Sequence, residues 1–285
     1  MFAPGDRALI GLDLDYNGEN IINANFIDHY RITFEIILFG IFVLLLLFAG
    51  WTGLKAVVSF VFTGLLIWKL LIPGFLKGYD PIFLSLGIVT AMTGVILFLI
   101  GGITRKGLVA FLGAFLGIGL TCALSIFFEK GFRIHGAVRQ FSETLLYSGF
   151  PHLDLKKIFL AGIFLASSGA VMDLAMDISA AMKEVTDKYP EISRKDLILS
   201  GFTVAKAVIG TMTTTLLLAY SGGYTAMLMV FMAQGTPILN VFNIIYVSSE
   251  VLHTLVGSFG LVTVAPFTAV MGGLLLHKKE CGEKK

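Results

Sequence analysis

The sequence contains about eight runs of roughly twenty mainly apolar residues, and these constrain the fold more than any other feature. They fall roughly at 32–49, 54–72, 82–101, 107–128, 157–183, 197–220, 224–247 and 251–276. In lipid every backbone N–H and C=O must find a partner inside the protein, so a run of this length is helical. The mean hydropathy of +0.87 agrees with this. Only 14% of residues are charged, where a soluble domain needs about a quarter to cover its surface. The sequence therefore predicts an all-α membrane fold. It is a polytopic, multi-pass bundle of about eight transmembrane helices, or seven if the last two runs make a single crossing. The expected surroundings are a lipid bilayer, and a net charge of +2 gives no reason to invoke nucleic acid.

Three regions follow from this reading. Residues 1–31 are polar and read as a β hairpin, with Ala8–Leu14 and Ile21–Ile27 flanking the turn dipeptide Asn17-Gly18. Residues 32–276 form the helical membrane domain, and residues 277–285 a charged tail. Ser221-Gly222-Gly223 reads as a turn between two helices, and residues 184–196 as a solvated loop. Residues 129–156 contain an amphipathic stretch suited to the membrane interface, with Val138, Phe141 and Leu145 on one side and Arg139 and Glu143 elsewhere. Counting Lys and Arg on the two sides does not orient the bundle.

The residues with chemistry lie in the second half. Asp173 and Asp177 are four apart and share a helix face with Gly162, Ala166, Gly169, Ala170, Ala180 and Ala181. Small residues in such a stripe let helices approach closely. The next helix carries Ser200, Thr203, Lys206, Gly210, Thr213 and Thr214. An ionisable residue inside an apolar run faces a partner or water. With these boundaries Asp173 and Lys206 lie at about 15 and 13.5 Å depth, which predicts an ion pair between them. Such a pair fixes helix register, or it binds or conducts a cation or proton. The hydroxyls of Thr211, Thr213, Thr214 and Thr215 are expected to bond their own helix backbone. Gln234-Gly235-Thr236-Pro237 interrupts a helix near mid-membrane, either as a proline kink or as the broken helix of a substrate site. Beyond it Asn240, Asn243, Val247 and Glu250 share a face, and Ser248-Ser249 suits a helix N-cap beside Glu250.

Several chemistries are excluded. There is no HExxH and no phosphate-binding loop, the five histidines do not pair on any membrane helix, and Ser221 has no obvious His base. The two cysteines, Cys122 and Cys281, have no metal or redox spacing. An enzyme is not expected, nor is a cofactor.

The stretches Gly169–Val185, Gly210–Tyr220 (beginning Gly-Thr-Met-Thr) and Thr254–Val262 (containing Leu-Val-Gly-Ser) resemble the YibE/F family of bacterial polytopic membrane proteins. The opening Phe2–Arg7 is similar to the end of the extracytoplasmic β region of longer members. The resemblance implies a short member or a truncated start, with the hairpin of residues 1–31 outside the cell and the protein in the cell membrane. It also implies a paired membrane protein of the same family as a partner. The family's pattern has Arg-Asp before Gly-Thr-Met-Thr, where this chain has Lys206-Ala207. It has Asn where Thr214 stands and a small hydroxyl residue where Asp177 stands, so Asp177 replaces the acid lost at Ala207.

The functional expectation is a transporter or permease for an unidentified small solute or ion. Its polar centre is Asp173, Asp177, Lys206, Gly210, Thr213, Thr214 and Glu250. The rival expectation is a non-transporting membrane scaffold or assembly partner.

Overall fold

A computed structural model describes Ala3, residues 6–15 and residues 21–277. Asn17-Gly18, the tail beyond His277 and Cys281 lie outside the described residues. The chain divides into two compact units, residues 1–58 and residues 59–285.

In the first unit β1 (Ala8–Leu14) pairs antiparallel with β2 (Ile21–His29), with Ala8 opposite His29 and Leu14 opposite Ile21. The expected hairpin is present, and its second strand runs two residues further than the sequence suggests. Beyond it, the Arg31 guanidinium clamps the Asp28 carboxylate at 2.7 and 3.0 Å. This interaction, with a bond from the His29 N–H, pulls the Asp28 carboxyl down to about 2. Helix α1 (Ile32–Leu47) follows, and Gly50, at φ +63°, begins α2 (Gly50–Leu76). That helix has a π turn at Ile67–Leu71 just before Pro73, which removes one backbone donor.

The second unit is a helical bundle. Its further helices are α3 (Pro81–Gly101), α4 (Arg105–Phe132), the short α5 (Ser142–Tyr147), α6 (Leu155–Lys188), α7 (Arg194–Ala233), the short α8 (Ile238–Asn243) and α9 (Ile245–Leu275). Among the described residues six helices are long and apolar enough to cross a membrane, namely α2, α3, α4, α6, α7 and α9, while α1 is a shorter apolar helix. The chain is therefore a multi-pass membrane protein. The centre is α4, α6 and α9, which pack on one another, while α3 and α7 lie outside them. Of the most apolar stretch of α7 only 6% is buried, against 61% in α6, so α7 is a peripheral helix.

Small residues set the close packing. Helices α4 and α9 run antiparallel, with Gly113 against Thr268, Gly117 against Val264 and Thr121 against Gly260. A Cβ at Gly113 would lie 2.9 Å from Thr268 Cα, so the two backbones meet there. The buried hydroxyls at this seam are satisfied locally. Thr121 donates to Gly117 O and Thr268 to Val264 O, both at 2.8 Å.

One end of the bundle is tied by charge. Asp80 caps α3 by accepting from the Ile82 and Phe83 N–H groups, and it takes a 2.6 Å bond from Lys157 of α6. The ammonium of Lys157 holds its carboxyl below the usual range. Glu129, buried at the end of α4, pairs with Lys156 at 2.7 Å. Neighbouring lysines thus anchor the start of α6 to two other helices.

Three expectations need correction. Ser221-Gly222-Gly223 is no turn but lies inside α7, a single helix of 40 residues that joins the expected 197–220 run to the first part of the next. Glycine weakens a helix in water, but in lipid an opened backbone has no alternative partner, so the helix continues. The loop expected at 184–196 shrinks to residues 189–193. Here Lys183–Asp187 and Lys188–Glu184 ion pairs, each four residues apart, carry α6 onward. The break at Gln234–Pro237 is real, but it ends α7 instead of interrupting a span at its middle.

Candidate functional site

The segment after α4 places the site. At Gly136, with φ +88°, a Cβ would lie 2.5 Å from Lys156 Cα, so only glycine lets this backbone cross the start of α6. Ile134 and Val138 then pack into a cluster with Phe159, Leu160, Ile163, Leu252 and Val256. Of the expected amphipathic stretch, Val138 turns inward, whereas Phe141 is 71% exposed and has φ +64°. Between these two, Arg139 is aimed back at α9.

Arg139 makes a 2.5 Å ion pair with Glu250 Oε1 and a 3.0 Å contact with His253 Nδ1. Its guanidinium also lies 5.8 Å from the Phe159 ring centroid. Glu250 Oε2 is 3.5 Å from His253 Nδ1, one helical turn along α9. The Tyr220 ring of α7 lies against the His253 ring, with centroids 4.3 Å apart. The cluster draws on the segment before α5, on α6, on α7 and on α9. Guanidinium nitrogens can only donate, so His253 Nδ1 accepts from Arg139. A neutral His253 ring then carries its proton on Nε2. That atom is buried with no hydrogen-bond partner, as are Tyr220 Oη and Thr254 Oγ1. Leaving such groups unpaired costs about 1–3 kcal/mol each.

Two cavities flank the cluster. One of about 420 Å³ is lined by Arg139, Tyr220 and His253 together with Leu145, Phe159 and Ala166. The other, about 670 Å³, is lined by Glu250, Thr254, Tyr224, Met232, Thr236 and Phe242. Partners in one ion pair line different cavities, so the pair stands between them. The second cavity lies at the break after α7, where Gly235, at φ +66°, and Pro237 end the helix. Non-helical backbone at a cavity is the arrangement lipid permits.

Only one residue of the sequence-derived centre joins this cluster, namely Glu250. No ion pair joins Lys206 to Asp173 or Asp177 among the described residues. Register accounts for the missing Asp173 pair. Helices α6 and α7 meet where Gly201 lies against Met182, which sets Lys206 level with Asp177, one turn from Asp173. Both aspartates and Lys206 are exposed. Gly210, Thr213 and Thr214 stay on α7, and the Thr213 and Thr214 hydroxyls donate to Ile209 O and Gly210 O at 2.8 and 3.0 Å. Thr211 and Thr215 bond their own helix in the same way. Ser248 and Ser249 are not N-caps. Helix α9 begins earlier, at Ile245, and their hydroxyls donate to Phe242 O and Tyr246 O. Glu250 is accordingly a partner of Arg139 and does not complement a helix dipole. The extended Ile244 separates α8 from α9, so Asn240 and Asn243 do not share a continuous helix with Glu250.

Sequence reasoning missed Arg139, Tyr220 and His253. The available signal was Glu250–His253, an acid and an imidazole three residues apart inside an apolar run. Among the described residues no group of three or more His, Cys, Asp or Glu could hold a metal ion.

The family model for YibE/F-like proteins matches residues 37–278, most of the chain, and the chain belongs to that family. No curated protein and no solved structure matches the chain.

Proposed function

We propose that this YibE/F-like protein is a permease of the cell membrane, not an enzyme, and that its solute site is the Arg139, Tyr220, Glu250 and His253 cluster. The observation that carries the reading is the pair of buried, unpartnered polar atoms, His253 Nε2 and Tyr220 Oη, at a wall between two cavities. Mostly apolar surroundings with a few convergent polar groups are the usual form of a small-molecule site. Glu250 already neutralises Arg139, so the free groups are hydrogen-bond donors in a charge-balanced setting. They suit a small, largely apolar solute with a carbonyl or carboxylate oxygen. The helix break beside the larger cavity supports the same reading. The polar centre of the transporter expectation is thereby moved. Glu250 stays in it, while Asp173, Asp177 and Lys206 have another role.

A thermal-shift scan of the detergent-solubilised protein, against small carboxylic acids, amides and inorganic ions, tests the site. At least one oxygen-bearing solute is expected to raise the midpoint in wild type and to lose that effect in His253→Phe. A panel in which nothing shifts wild type, or in which His253→Phe shifts equally, would remove the proposal.

A further inference from the structure

We infer that the outward faces of α6 and α7 are a dimer interface, on which a second copy of this chain pairs its Lys206 with Asp177. This does not rest on the permease reading, because neither Asp177 nor Lys206 belongs to the Arg139 cluster or lines either of its two cavities.

The first observation is charge left without a partner at depth. Asp173, Asp177 and Lys206 are exposed on helices long and apolar enough to cross a membrane. No ion pair within 4.0 Å engages any of them among the described residues. Ionisable groups inside a membrane pair with one another or face water. The second observation is the shape of the surface around them. Gly169 on α6 and Gly210 on α7 have no atom within 4 Å of where a Cβ would sit, so the small-residue stripe beside these charges is not used for packing within the chain. A stripe left open in this way lets another helix approach closely.

The register identifies the occupant. Two copies of one chain insert in the same sense, so their two-fold axis runs along the membrane normal and leaves depth unchanged. A pair across that axis therefore needs its two residues at equal depth in the single chain. Met182 and Gly201 meet where α6 and α7 cross. Asp177 precedes Met182 by five residues and Lys206 follows Gly201 by five. Both lie about 7.5 Å from the contact on antiparallel helices. The face carries acid and base at one level and is complementary to itself. Each copy would form the pair twice, Asp177 with Lys206 and Lys206 with Asp177. Asp173, one turn away, adds negative charge to the same patch.

The test uses the full chain, with Cys281→Ser as background, co-expressed in membranes as two differently tagged copies. One copy carries Asp177→Cys and the other Lys206→Cys. Mild oxidation is expected to give a disulfide-linked species bearing both tags, while Asp177→Cys with an exposed control, Leu199→Cys, gives at least tenfold less. Native mass spectrometry of the unmodified chain is expected to show a dimer. Lys206→Asp should lower the dimer fraction at least tenfold, and Asp177→Lys combined with Lys206→Asp should restore it. A monomeric wild type would overturn the inference. So would absence of the mixed-tag species from well-folded protein, which would leave that face to lipid or to a different protein.

Discussion

Replacing Glu250 with alanine is expected to destabilise the helical unit by about 2 kcal/mol. Its carboxylate is 14% exposed and takes the 2.5 Å bond from Arg139. Removal leaves a guanidinium beside the Phe159 ring with only His253 Nδ1 to accept from it. Breaking a buried pair costs about 3–5 kcal/mol, and the Arg139 side chain, being 46% exposed, recovers part of that from water. The penalty therefore belongs to the unpaired charge more than to the lost attraction. A double-mutant cycle separates the two. Glu250→Ala with Arg139→Met should recover at least half of the loss of Glu250→Ala alone, measured as thermal stability in detergent. Additive losses would mean that the pair is not coupled.

The second large effect is expected at Gly113. Valine there should cost more than about 3 kcal/mol, or prevent recovery of monodisperse protein, because the added Cβ meets the α9 backbone at Thr268 Cα. Rotamer changes relieve a clash with a side chain, but here two helices must separate. Gly119 lies on the same helix six residues further on, with no atom within 4 Å of a Cβ, so Gly119→Val should change stability by less than about 1 kcal/mol. Equal behaviour of the two variants would contradict the α4–α9 register.

Much of this was legible in the sequence for local reasons. The starts of α3, α4, α6 and α7 lie within a few residues of the apolar runs, because Asp80, Thr104, Asp154 and Ser193 cap them with their own side chains. The β hairpin and the threonine back-bonding are local as well. The misplaced features depend on partners distant in sequence. Arg139 and Glu250 are 111 residues apart, and nothing near Arg139 indicates that Gly136 lets the segment turn toward α9. The Asp173–Lys206 expectation fails by one helical turn, because it places the helix ends where charge begins. In fact α6 runs on to Lys188, and Met182 meets Gly201 inside both helices. Ser221-Gly222-Gly223 has turn chemistry, which decides conformation only where water can satisfy an opened backbone.

The proposed site meets its most direct test in Tyr220→Phe. The Tyr220 hydroxyl is buried and makes no hydrogen bond, so its loss should leave stability equal or slightly raised. In proteoliposomes, wild type is expected to take up a small carboxylate or carbonyl solute above the rate of protein-free vesicles, and Tyr220→Phe to lower that uptake about tenfold. Uptake unchanged by the substitution, or no uptake of any such solute by wild type, would contradict the account.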